Sequence, residues 1–132
     1  WWDLTQYNDL INSNREGIEV YNYNIPEEEV YKYFEQSEFV VLPYKDATWS
    51  GVIPTAFAFS KAVITTDVGE LATHVHDKES GLIVLPNNPR ALADAIIRML
   101  HHKKEVEVMG KEWKKYTEDV LGWDKIVRKI YW

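Results

Sequence analysis

The stretch Phe39-Val40-Val41-Leu42-Pro43-Tyr44-Lys45-Asp46-Ala47-Thr48-Trp49-Ser50-Gly51-Val52-Ile53-Pro54 decides how the chain is read. Its first four residues are continuously apolar, the pattern of a strand buried on both faces of a parallel sheet. A loop with two hydroxyl residues and a glycine follows. A helix predicted over about 53–60 comes next, with Pro54 in its first turn, where a proline removes no helix bond. The same order of apolar run, loop and helix recurs on both sides.

Ala62-Val63-Ile64 and Leu82-Ile83-Val84-Leu85 read as further buried strands. Ile18 to Tyr23, with Ile, Val and two Tyr, reads as another strand. Residues 3–12 place Leu4, Tyr7, Leu10 and Ile11 at helical spacing. Pro26 suits a first helical position, and Glu27, Glu28 and Glu29 complement the positive end of that helix. Val30, Tyr33 and Phe34 supply its apolar face. Helices are predicted over about 88–101, 104–119 and 123–131, the first marked by Ala91, Leu92, Ala95, Ile96, Met99 and Leu100. The sum is an α/β, three-layer, Rossmann-like domain with a parallel sheet.

The bulk numbers fit one domain with a core. The chain has 132 residues, 45% of them apolar and 27% charged, and its six Trp and eight Tyr argue against disorder. A net charge of -6 without a basic stripe argues against nucleic acid as a partner. The C-terminal lysines, among them Lys103, Lys104, Lys114 and Lys115, alternate with Glu105, Glu107, Glu112 and Glu118, the pattern of solvated helix faces. A peripheral contact with an anionic membrane is the alternative reading of those lysines. With no Cys, disulfides, thiolate catalysis and cysteine zinc sites are excluded. No apolar run approaches the roughly 18 residues of a membrane helix. The expected location is the cytoplasm, with the inner face of the membrane as the alternative. The chain starts at Trp1 rather than Met, so its natural N-terminus is expected to be absent.

Open α/β sheets bind ligands beyond the carboxyl ends of their strands. Three junctions qualify: Tyr23-Asn24-Ile25, Pro43 to Val52, and Thr65 to Leu71. In the second, Thr48 and Ser50 offer hydroxyls, and Gly51 permits close approach to the backbone. Free N–H groups at a helix start attract anions, which makes this loop a candidate diphosphate cradle. Ser-Gly at such a junction is also ordinary turn and cap chemistry. The third junction carries Gly69, and parallel pairing of neighbouring strands would set it beside the Ser50–Gly51 loop.

At these residues the chain resembles the retaining, group 1 (family 4) glycosyltransferases. The resemblance runs from about Ile18 to Tyr131, through pieces that occur in the family's order. Ile25-Pro26-Glu27-Glu28-Glu29-Val30 is similar to the family's helix opening, and Phe39 to Pro43 to its V-F-V-L-P. Residues 56–64 look like A-M-A-C-G-K-P-V-I, Thr66 to Leu71 like T-D-V-G-G-L, and Gly81 to Val84 like G-L-L-V. Trp123-Asp124 matches a late W-D. No single piece is specific, but the ordered set is strong.

The resemblance implies residues 1–132 as part of the C-terminal, nucleotide-sugar-binding domain of a GT-B fold. The implied activity is transfer of a sugar from a nucleotide-sugar to an acceptor hydroxyl, with retention. No cofactor and no essential metal are implied. The acceptor, a saccharide or lipid-linked saccharide, would be bound by a missing N-terminal domain. In that frame Thr48, Ser50, Gly51 and Val52 would hold the diphosphate, Thr55 would face the ribose, and Asn24 and Ile25 would border the base. Tyr44 and Gly69 complete the candidate set. Lys45 would neutralise phosphate or simply lie in water.

Departures from the family pattern are concrete. The usual Glu, seven residues, then Glu falls at Ala47 and Thr55, so neither carboxylate is present. Ala62 replaces a Pro, and Glu70 replaces a Gly. The family's domain begins with two strands that have no counterpart here. They would separate 18–23 from 39–42, so the chain is expected to be an inactive fragment, or a sheet completed by a partner or an altered topology. The rival functions are a non-catalytic nucleotide-binding or interaction module and a nucleotide-sugar epimerase.

The histidines form no convincing metal set. His74 and His76 would share one side of a strand, and His101-His102 would end a helix, without a third ligand at metal spacing. Asp46 and Asp67 are weak acid or base candidates. Trp113, Trp123 and Trp132 are expected in the core, and Trp49 in the cleft loop.

Overall fold

In a computed structural model of the protein, residues 3–116 are described. They divide into two compact units, which meet in sequence between residues 31 and 32 and are considered separately below. The sequence expectations at 117–119 and 123–131, and for Trp123 and Trp132, fall outside the described residues.

In the N-terminal unit the expected helix over 3–12 is a 3-10 turn, Thr5–Tyr7, running into α1, Asn8–Ser13. Local polar side chains stop it there. Ser13 Oγ donates to the Asp9 carbonyl and Asn14 Nδ2 to the Leu10 carbonyl, each at 2.7 Å. The strand expected over 18–23 does not form. A strand exists only through pairing, and no segment among the described residues offers 18–23 a ladder. Ile18, Val20, Tyr21 and Tyr23 are left exposed. Helix α2, Glu27–Gln36, begins one residue after the expected Pro26, with the three expected acidic residues in its first turn, and continues into the second unit.

The second unit is built on a parallel sheet of β1, Phe39–Leu42, β2, Ala62–Thr66, and β3, Gly81–Val84, in that spatial order. Parallel neighbours require crossovers. These are provided by α3, Val52–Ala58, and by the short α4, Leu71–His74. Pairing is in register from Phe39 opposite Ala62 to Leu42 opposite Thr65, and from Val63 opposite Gly81 to Thr66 opposite Val84. Helix α5, Pro89–His101, is capped by the Asn88 side chain, which accepts from Ala91 N–H at 3.0 Å. Helix α6 covers Lys103–Tyr116.

Alternation along the strands makes two cores. Val40, Leu42, Val63 and Ile83 face Ile53, Ala56 and Phe57 of α3, with Leu71, Val75 and Trp113. Phe39, Val41, Ala62, Ile64 and Leu82 face Ala95 and Met99 of α5, with Val106 and Met109 of α6. Strand β2 is buried throughout, whereas all four residues of β1 are only partly buried. The expectation that 39–42 is fully buried fails because β1 is an edge of this sheet. Trp113 is in the core as expected, with its ring edge-on to Phe57 at 5.5 Å. Such a pair adds about 0.5–1.5 kcal/mol beyond its buried area.

Helix α6 contributes to both cores because it crosses close to the turn before β2. A Cβ on Gly110 would lie 1.9 Å from the Ser60 carbonyl oxygen, so only glycine permits this crossing. Gly69, in the turn after β2, has φ of 52°, and a Cβ there would lie 2.0 Å from the Ala47 carbonyl oxygen.

Alanine normally stabilises a helix interior by about 1 kcal/mol over glycine. At Gly110 the sign should reverse: Gly110→Ala is expected to cost about 1–3 kcal/mol in urea unfolding. A gain in stability would show that α6 can retreat from the turn. Gly69→Ala should cost about 2–5 kcal/mol, since it adds a left-handed penalty to the clash. A loss below about 1 kcal/mol in the same measurement would contradict the close contact with Ala47.

Candidate functional site

The carboxyl ends of β1 and β2 lie side by side, and their exits form one structure. The loop from Pro43 to Gly51 leaves β1, and the turn from Asp67 to Glu70 leaves β2. Gly69 presses against the Ala47 and Thr48 carbonyls, and Glu70 N–H donates to the Thr48 carbonyl at 3.0 Å. The expected juxtaposition of Gly69 with the Ser50–Gly51 loop is therefore present.

Hydroxyl groups clamp the base of the loop. Thr65 Oγ1 donates to the Leu42 carbonyl at 3.3 Å, and Thr66 Oγ1 to the Tyr44 carbonyl at 2.7 Å. Both threonines are buried. Farther along, Thr55 Oγ1 donates to the Gly51 carbonyl at 2.9 Å. Ser50 Oγ accepts from Val52 N–H at 3.2 Å and lies 3.1 Å from Tyr44 Oη.

These bonds hold the loop at its two ends and at Thr48. The carbonyls of Leu42, Tyr44, Thr48 and Gly51 are all engaged inward. The amides of Lys45 through Ser50 donate to no acceptor among the described residues. Ser50 is only 5% exposed, so its amide belongs to a nearly buried residue, where unmet donors are uncommon. A run of backbone N–H groups presented by a loop is an anion-binding arrangement.

Each candidate residue has a definite place. Thr48 and Trp49 are exposed at the loop's crest. Ser50 and Thr55 are buried and bonded within the protein, and the Val52 amide is occupied by Ser50. Gly51 is partly buried, Gly69 exposed, and Tyr44 partly buried against the α3 core. Lys45, Asp46 and Asp67 are exposed. Asn24, exposed, and Ile25, partly buried, belong to the N-terminal unit. His74 ends α4 and His76 follows it in a loop, so the expected strand placement is wrong; Leu71 starts a helical turn there. Among the described residues no three His, Cys, Asp or Glu side chains converge on one point.

The clamp from Thr66 and the Tyr44–Ser50 contact were not foreseen from sequence. Their signal was the pair of threonines ending β2 and the hydroxyl residues at both ends of the β1 loop.

Clefts open at both ends of the sheet. One of about 980 Å³ lies ahead of β3, between the His76–Glu79 loop and Val108, Met109 and Trp113 of α6. It is at the amino end of β3, away from the ligand edge of an open sheet. A smaller one of about 180 Å³ opens at the carboxyl ends, among Pro43, Lys45, Thr66, Val84 and Leu85. No helix among the described residues is long and apolar enough to cross a membrane.

Residues 3–102 match the family described as glycosyl transferases group 1. Over 107 residues the chain is 30% identical to an uncharacterized glycosyltransferase of Methanocaldococcus jannaschii, covering 79% of this chain and 30% of that protein. Its fold is similar to that of sucrose-phosphate synthase from Thermosynechococcus elongatus, with a TM-score of 0.80 and 25% identity, over 96% of this chain and 32% of that one. The chain thus spans about a third of the length of either relative. With its α/β architecture and ordered motifs, the chain belongs to the group 1 glycosyltransferases, as a C-terminal-domain segment of their GT-B fold.

Proposed function

We propose that this segment holds the diphosphate of a nucleotide-sugar, and that the whole protein transfers the sugar to an acceptor hydroxyl with retention. The observation that carries this reading is the run of amides from Lys45 to Ser50 with no acceptor among the described residues, on a loop held at the Thr48 carbonyl. Hydrogen bonds to a charged partner are worth about 1.5–3 kcal/mol each, so a few such amides supply useful affinity. Their geometry is set in advance by Gly69, Glu70 and Thr66, so little ordering is left for the ligand to impose.

In this reading Thr48 and the amides through Ser50 meet the phosphates. Ser50, Val52 and Thr55 shape the loop from behind, since their polar groups bond internally. Exposed Lys45 adds positive charge near the leaving diphosphate, where charge grows during transfer. No metal is required, and the acceptor saccharide or lipid-linked saccharide is bound elsewhere in the whole protein. The cytoplasm is the proposed location.

A second reading is favoured by two positions. Ala47 and Thr55 stand where the resemblance places glutamates, and the Thr55 hydroxyl is tied to Gly51. A non-catalytic nucleotide-binding or interaction module would tolerate both.

Titration of the full chain with uridine, guanosine and adenosine diphosphates separates these readings from neither. One of the three is expected to bind, and Gly51→Val to abolish binding. Absence of binding by all three, or equal binding by Gly51→Val, removes the diphosphate site. Binding without sugar transfer by the whole protein selects the non-catalytic module.

A further inference from the structure

We infer that Tyr44 is the positioning residue of the diphosphate loop: its phenol closes the neck of the loop on Ser50 and holds the amides between them in place. This rests on the diphosphate reading above. Tyr44 and Ser50 bracket residues 45–49, and their hydroxyl oxygens are 3.1 Å apart. The Ser50 oxygen also accepts from Val52 N–H at 3.2 Å, which ties the bridge to the start of α3. A serine oxygen has lone pairs for both contacts.

Tyr44 is itself held from two sides. Its carbonyl accepts from Thr66 Oγ1 at 2.7 Å, and its ring packs against the core that contains Ile53 and Phe57. The phenol therefore transmits a fixed position from the β2 exit and the α3 core to the far end of the loop. Between the two ends, the bonds holding the loop are on its carbonyl side, at Thr48. Ordering a residue's backbone costs about 1–2 kcal/mol, so a loop left open at its neck would take that cost from ligand binding. Tyr44 acts through Ser50 and need not touch the ligand.

The test is a double-mutant cycle on the full chain with Tyr44→Phe and Ser50→Ala, read by the Kd of whichever of uridine, guanosine or adenosine diphosphate binds. Phenylalanine keeps the ring and its packing. Tyr44→Phe should weaken binding about three- to tenfold, and the double variant should bind no worse than Ser50→Ala alone. Ser80→Ala is the control for general destabilisation: it removes a buried hydroxyl that accepts from His76 N–H at 2.8 Å, at the amino end of β3 and away from the loop. It should lower the urea midpoint and leave Kd unchanged. Unchanged Kd in Tyr44→Phe overturns the role of Tyr44, as do additive losses or an equal weakening by Ser80→Ala; each leaves the diphosphate site standing. No diphosphate binding by the unsubstituted chain overturns both.

Discussion

The contact between Gly69 and the Ala47 and Thr48 carbonyls is the constraint on which the site depends. Parallel pairing brings the exits of β1 and β2 to the same edge, but pairing alone leaves the β1 loop unshaped. Because Gly69 has no side chain and takes a left-handed φ, the β2 turn can seat directly against the loop backbone. That seating brings Glu70 N–H to the Thr48 carbonyl. The loop is then held at the Thr48 carbonyl, and the amides of residues 45–50 keep no acceptor among the described residues.

The sheet supplies the rigidity behind the loop. Strand β2 is buried on both faces between the α3 and α5 cores, and its terminal threonines reach across to carbonyls of β1 and its exit. Buried hydroxyls need partners, and these carbonyls meet that need while fixing the loop base. At the opposite end, the bare backbone of Gly110 lets α6 tie both cores together. Close glycine contacts therefore secure both ends of β2, one for packing and one for the site.

The apolar runs at 39–42, 62–64 and 82–84 were legible as parallel strands because their side chains serve two cores, whereas Leu85, expected in the third strand, lies past its end and is exposed. Gly69 was legible as a neighbour of the Ser50 loop because strand adjacency follows from that pattern. The strand at 18–23 was misread, since alternation and β-branched residues describe a strand's surface and not the presence of a pairing partner. His74 and His76 were misread because a short helical turn at Leu71–His74 carries too few residues to show a period. For Ser50 and Thr55, composition revealed hydroxyls but not their direction. Both turn inward, a choice made by tertiary neighbours such as Tyr44 and by the first turn of α3. The family resemblance identified the domain; it did not show which groups of the loop remain available.

The most direct test of the account follows backbone amide resonances of the full chain as a nucleoside diphosphate is added. The account predicts the largest shifts, moving downfield as for amides that donate to phosphate, at Ala47 through Ser50. Resonances around His76 and Met109 should stay in place. Shifts centred on the α6 cleft, with the 45–50 amides unmoved, would contradict it.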